Sequence, residues 1–192
     1  MMSIKDITIV ITSFKSENKI KECLNSIDKQ CQIINVENSN NQDFKSQIEN
    51  EFENVKCILT GENLGYGKAN NIGLKEVKTK YALILNPDTK LYPETLNNFI
   101  KLANEIKNFA IIGPGIVEGD DSHKSSIKNA TKQTSEVKGY AMLMNLSQFE
   151  DIGFFDENIF FFLEEIDLCK RLKRKNKAIY YSPNTRVRHE GG

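Results

Sequence analysis

Within this 192-residue chain, the stretch Tyr81-Ala82-Leu83-Ile84-Leu85-Asn86-Pro87-Asp88-Thr89 constrains the fold most. Its first five residues form an apolar run without polar alternation, the pattern of a strand buried on both faces inside a parallel sheet. Pro87 has no N–H and a fixed φ, so a central strand cannot continue through it. The run therefore stops and presents Asp88 at its carboxyl end, where open α/β sheets bind their ligands. A carboxylate there suits a hard divalent cation that bridges phosphate oxygens. The competing reading is a turn in which Asp88 bonds its own backbone.

The chain before this run alternates strands and helices. Ile7–Ile11 reads as a first buried strand, followed by Thr12-Ser13-Phe14 at its carboxyl end. Ile20, Leu24 and Ile27 recur at helical spacing between Asn18 and Lys29. Ile33–Val36 is a second strand, ending in the polar cluster Glu37–Asn41. Phe44, Ile48 and Phe52 mark a helix, and Val55–Leu59 a third strand. Gly65-Tyr66-Gly67 precedes a helical run, so the backbone can approach a ligand closely and the helix N-terminus can face an anion. An ordinary loop is the alternative there, and the full dinucleotide fingerprint is missing.

Beyond the central run, Pro93 and Glu94 open a helix predicted to reach Asn108. Ala110–Val117 reads as strand, break, strand, and Glu118–Glu136 as a polar loop or hairpin in which His123 is a solvated histidine. Val137–Met144 is a buried strand, and Ser147–Ile152 a short helix ended by Gly153. The aromatic stretch Phe154–Leu163 is hairpin-like and leads into a helix headed by Glu164-Glu165, with Asp167 on its surface or capping it. Lys173-Arg174-Lys175 suits the last turn of that helix. Ala178–Tyr181 is a final strand, stopped by Pro183. The expected fold class is α/β, one domain over residues 1–192, with a mostly parallel central sheet flanked by helices.

Composition narrows the function classes. Lys+Arg 26 balances Asp+Glu 26, which leaves no basic field for nucleic acid. No apolar run approaches the ~20 residues of a membrane span, and the N-terminus lacks the small-residue cleavage site of a signal peptide. Cys23, Cys31, Cys57 and Cys169 have no zinc or redox spacing, so reduced thiols in a cytoplasmic protein are expected.

Polar clusters at Thr12–Phe14, Glu37–Asn40, Asn63–Asn70 and Asn86–Asp88 can share one crevice, with Glu164-Glu165 and His189 as further members. Such a set has parts for moving a sugar from a nucleotide: a base site, a cation for the leaving diphosphate, and a carboxylate for the acceptor proton. A generic nucleotide-binding or small-molecule α/β domain is the alternative. The runs Ile9–Phe14, Val36–Ser39, Glu62–Gly73, Leu85–Asp88, Gly153–Glu157, Phe162–Leu168 and Val187–Gly192 together resemble, in order, the inverting nucleotide-sugar glycosyltransferases of the GT-A fold, family two, in particular the rhamnosyltransferase-like branch.

The resemblance implies a role for each matching residue. Thr12 and Phe14 stand where the base and ribose are contacted, and Glu37, where relatives more often have Asp, would accept from the pyrimidine. Asn63, Lys68 and Asn86 would line the nucleotide pocket. Asn86-Pro87-Asp88 replaces Asp-x-Asp, so a divalent cation (Mn2+ or Mg2+) would rest on Asp88, with His189 completing its site. Glu165 is expected as the general base, one methylene longer than the usual Asp, with Glu164 orienting donor or acceptor. The implied partners are a nucleotide-sugar donor and a saccharide or lipid-linked saccharide acceptor, in surface polysaccharide or glycoconjugate synthesis, with a cytoplasmic or peripheral place at the inner membrane face. Relatives usually continue beyond the His-x-Gly-Gly run, so a chain lacking an acceptor- or membrane-facing extension is expected. A binding module without turnover is the rival reading. A nucleotidyltransferase is a weaker one, since no glycine-rich basic loop follows the first strand.

Overall fold

A computed structural model describes residues 2–117 and 130–189. Strands β1 (Ile7–Ser13), β2 (Gln32–Glu37), β3 (Val55–Leu59) and β4 (Tyr81–Leu85) alternate with helices α1 (Glu17–Asn25), α2 (Gln42–Glu51) and α3 (Tyr66–Glu76). There follow β5 (Thr89–Leu91), α4 (Thr95–Glu105), β6 (Phe109–Val117), β7 (Lys132–Thr134), β8 (Ala141–Asn145), α5 (Glu164–Arg174) and β9 (Ala178–His189).

One sheet holds these strands in the order β3-β2-β1-β4-β8-β6-β9-β5, with β7 also on β9. The block β3-β2-β1-β4 is parallel. Beyond it β8 runs antiparallel to β4 and β6, while β6 and β9 are parallel. The period of two divides the core between the faces. Ile9, Ile11, Leu83 and Leu85 pack with Ile20 and Leu24 of α1, Phe44 and Ile48 of α2, and Phe99 of α4. Val10, Ala82 and Ile84 pack on the other face with Leu74 of α3 and Leu168 and Leu172 of α5. Every residue of β1 and β4 is buried, as strands lying between two helical layers are. Each such fully buried aliphatic side chain contributes about 1.5–3 kcal/mol.

Several local expectations change. Pro183 does not stop the last strand, because β9 runs on to His189. Pro183, Asn184 and Thr185 stand between the pairs Pro114↔Ser182 and Gly115↔Arg186, so the proline sits in a bulge where no ladder N–H is needed. The predicted break in residues 110–117 is the same irregularity seen from β6, which stays one strand. Residues 132–134 of the predicted polar loop form β7 on β9, and His123 lies outside the described residues. Ser147–Ile152 is not a regular helix: a 3-10 turn covers Leu146–Gln148. The aromatic stretch Phe154–Leu163 contains no strand and forms a loop leading to α5. Asn41 caps α2 by accepting from the Phe44 N–H at 3.0 Å.

Candidate active site

The carboxyl ends of β1, β2 and β4 open onto a cavity of about 590 Å3. Thr12, Phe14, Asn38, Asn63, Tyr66, Asn86 and Asp88 line it, with Lys15, Lys19, Phe160 and Phe161 among the others. Five sequence-predicted site residues therefore share one space: Thr12, Phe14, Asn63, Asn86 and Asp88. The Thr12 hydroxyl is buried there without a hydrogen-bond partner, while Phe14 is 40% exposed. Glu37, Lys68, Glu164, Glu165 and His189 are not among the lining residues. The Glu37 carboxylate is buried behind the cavity and accepts from Ser13 Oγ at 2.6 Å and Ser39 Oγ at 2.7 Å. Lys68 is half-buried on α3, and its charge helps hold the Glu157 carboxyl low after the larger effects of the Asn71 amide and of Lys75.

Gly65 lines the cavity, and the glycine-rich run also packs closely against the protein itself. Gly65 has φ +82, and a Cβ there would lie 2.2 Å from the Phe160 carbonyl oxygen. A Cβ on Gly67 would meet the Phe155 Cβ at 3.1 Å. At the entry to α3, Leu64 N–H donates to Asn38 Oδ1, Gly65 N–H to Asn63 Oδ1 and Tyr66 N–H to Phe160 O. The glycines thus seat the segment that leads to α5. Asn71 fixes the same segment through its amide, accepting from Phe155 N–H and donating to Phe155 O and Glu157.

The segment delivers Glu164 and Glu165 to the first turn of α5, where carboxylates favour the positive end of the helix. Phe162 and Leu163 enter it with φ of 65° and 71°, a strained pair of left-handed residues ahead of two functional candidates. Glu164 is buried with Oε2 unpartnered; burial, followed by the charge of Glu165, raises its pKa. The Glu165 side chain runs along Gly139, where a Cβ would stand 3.7 to 3.8 Å from its Cβ, Cγ and Cδ. Asp167 pairs with Arg171 at 2.7 Å, and Arg171 also donates to Ile152 O and Phe154 O, so this acid braces the loop.

The Tyr66 hydroxyl lies 3.1 Å from Asn86 Oδ1 and 2.8 Å from Gly139 O, beside which the Glu165 side chain runs. Burial lifts the pKa of the Tyr66 phenol, and the charges of Glu164, Glu165 and Asp88 lift it further.

The extension of β9 brings in the last predicted residue. β5 pairs with β9 in the register Thr89↔His189, which sets His189 beside Asp88. His189 Nε2 lies 3.2 Å from Asp88 Oδ1. Both atoms are buried, and the contact is out of hydrogen-bond alignment, so each lacks a hydrogen-bond partner. A buried carboxylate oxygen and imidazole nitrogen, adjacent yet unsatisfied, fit a shared divalent cation. No cluster of three or more His, Cys, Asp or Glu suited to a metal occurs among the described residues. Diphosphate oxygens and water would therefore have to fill the remaining positions. The loop itself is firmly held: Asn86 N–H donates to Tyr140 O at 2.9 Å, and the Cys23 thiol, pushed up to about 12 by burial and then by Asp88, meets Asn86 O at 3.7 Å.

Sequence reasoning missed Asn38, Tyr66 and Tyr140 as individual contributors. Asn38 and Tyr66 stood in quoted runs, but an asparagine in a polar cluster carries no mark of its partners. Asn38 holds Asn63 Oδ1 and Gly65 O through its amide nitrogen. The Tyr140 ring lies 5.3 Å from that of His189.

The profile of glycosyl transferase family 2 matches residues 8–168. The low-salt glycan biosynthesis hexosyltransferase Agl10 of Haloferax volcanii is 27% identical over 195 residues, which cover 89% of this chain and 62% of that protein. The rhamnosyltransferase WbbL of Escherichia coli K12 is 29% identical over 213 residues, covering 91% of this chain and 80% of WbbL. Among solved structures, GalNAc-T7 with UDP, GalNAc and Mn2+ superposes with TM-score 0.77 at 11% identity, over 96% of this chain and 44% of that one. TarS residues 1–349 of S. aureus in complex with UDP gives TM-score 0.73 at 17% identity, over 97% and 60%. At these identities the structural likeness shows the fold alone, and the chain spans less than two thirds of Agl10 and of both solved structures.

Proposed function

The chain belongs to glycosyl transferase family 2, and from that premise we propose that it moves a sugar from a nucleotide-diphosphate donor to a hydroxyl of a saccharide or lipid-linked saccharide acceptor. The observation that carries this reading is the cavity itself. Asp88 lines it with His189 Nε2 3.2 Å from its Oδ1, both atoms buried without a hydrogen-bond partner, and Tyr66, another lining residue, donates to Gly139 O, along which the Glu165 side chain lies.

In the proposed reaction the acceptor oxygen attacks the anomeric carbon opposite the diphosphate. The new glycosidic bond forms as the bond to the diphosphate breaks, so the configuration inverts. Glu165 takes the hydroxyl proton. Glu164 orients donor or acceptor through its unpartnered oxygen. Thr12, Phe14, Asn63 and Asn86 receive the nucleotide, with Glu37 supporting β1's end through Ser13 rather than lining the space. Asp88 and His189 would hold a divalent cation, Mn2+ or Mg2+, which when bound neutralises charge on the leaving diphosphate. We place the reaction in synthesis of a surface polysaccharide or other glycoconjugate, at the cytosolic face of a membrane. The rhamnosyltransferase WbbL among the relatives supports a deoxyhexose as one candidate sugar.

Asp88→Ala and Glu165→Gln are each expected to lower sugar transfer at least a hundredfold with the far-ultraviolet circular dichroism unchanged. Full activity in either folded variant removes the role given to that residue. Nucleoside diphosphate binding without turnover of any sugar nucleotide would leave a binding module in place of an enzyme.

A further inference from the structure

We propose that Tyr66 is a positioning residue for transfer. Its hydroxyl ties the Asn86–Asp88 loop to Gly139, along which Glu165 lies, and so sets the leaving-group end of the site against the proton acceptor. The inference rests on the transferase reading above for its kinetic consequence, though not for the linkage itself.

The Tyr66 hydroxyl is 2.8 Å from Gly139 O and 3.1 Å from Asn86 Oδ1. A phenol has one proton, so the two acceptors share it. Burial and three nearby carboxylates raise its pKa, which keeps that proton in place across the physiological range. The ring that carries the hydroxyl is itself fixed. Tyr66 N–H donates to Phe160 O at 3.1 Å, Tyr66 O accepts from Asn70 Nδ2 at 3.0 Å, and the ring meets Phe155 edge-on at 6.1 Å between centroids. Tyr66 thus joins three segments far apart in sequence: residues 86–89, residues 139–140 and the loop that delivers α5.

The second of these segments also reaches the first through its backbone. Tyr140 O accepts from the Asn86 N–H at 2.9 Å and from Thr89 Oγ1 at 3.4 Å. Those bonds hold the loop against β8's entry. They do not bring in α3 or the loop before α5, which Tyr66 does. Small misplacements between reacting groups cost rate steeply, so a link from both halves of the site to one rigid phenol has a catalytic consequence beyond stability.

The test compares wild type with Tyr66→Phe, which keeps the ring and removes the shared proton. The first readout is amide hydrogen exchange, by mass spectrometry, in peptides spanning 84–91 and 138–142. Both are expected to exchange about tenfold faster in the variant, while the melting temperature falls by no more than a few degrees. The second is release of nucleoside diphosphate from a panel of sugar nucleotides with Mn2+. There kcat is expected to fall roughly 10- to 100-fold with the donor KM within about threefold, the split that separates a lost alignment from lost binding. Unchanged exchange in both peptides overturns the linkage. Unchanged kcat alongside faster exchange overturns the catalytic role. If wild type itself releases no nucleoside diphosphate from any donor, the transferase reading fails, and the exchange data alone decide the linkage.

Discussion

At the scale of single residues, backbone and charge both carry consequences. Gly65 combines φ +82 with a Cβ position 2.2 Å from the Phe160 carbonyl, so Gly65→Ala must both strain the backbone and push the Phe160 segment away. A loss of about 2 kcal/mol or more is expected in urea unfolding, together with weakened activity, because the displaced segment carries Glu164 and Glu165. Glu164 shows the opposite kind of tension. Burial, followed by the adjacent Glu165 charge, raises its carboxyl above the ordinary 4.5. The folded chain keeps this proton to higher pH than the unfolded chain, so the group's contribution is intact below about 4.5 and is lost as pH rises through the raised value. Glu164→Gln is therefore expected to be more stable than wild type at pH 7 to 8, with the advantage vanishing as pH falls to about 4. A melting-temperature profile against pH reads both limbs; equal profiles would contradict the account. Glu157 runs the other way, held low first by the Asn71 amide, and its contribution is present at neutral pH and lost on acidification.

At the scale of elements, the bulge in β9 decides where His189 goes. Between Ser182 and Arg186 the strand carries three residues with no partner on β6, and after them the ladder resumes with β6 and β5. A slip of one residue moves each side chain to the other face of a sheet. Deleting Asn184 is thus expected to turn His189 away from Asp88 while the preceding strand keeps its pairing. The measurement is the extra melting-temperature shift that Mn2+ adds to a nucleoside diphosphate. That increment should disappear in the deletion variant, with the nucleotide's own shift reduced less. Retention of the full Mn2+ increment would exclude His189 as a ligand. Helix α5 is positioned from outside as well, since Arg171 grips Asp167 on one side and the Ile152 and Phe154 carbonyls on the other.

For the whole molecule, the site assembles from the parallel block, which supplies the cavity, and the mixed half of the sheet, which supplies His189 and the seat for α5. A ligand that binds only this folded arrangement raises stability by mass action, by about 2.7 kcal/mol at a hundred times its Kd. Nucleoside diphosphates with Mn2+ are accordingly expected to raise the melting point of wild type, and Asp88→Ala to lose the metal-dependent part. The periods of the sequence, read alone, determined the α/β class and the longer strands and helices, because a buried strand or an amphipathic helix is written in residues that are neighbours in the chain. They also put Asp88 at a carboxyl end and Glu164 and Glu165 at a helix start, both local consequences of Pro87 and of the acidic turn. Only the tertiary structure decided that Gly65 and Gly67 receive the protein's own Phe155–Phe160 segment, that Pro183 lies in a bulge, and that His189 reaches Asp88. Those outcomes depend on which distant strands pair and in what register, and pairing energy between segments a hundred residues apart leaves no periodic trace in either one.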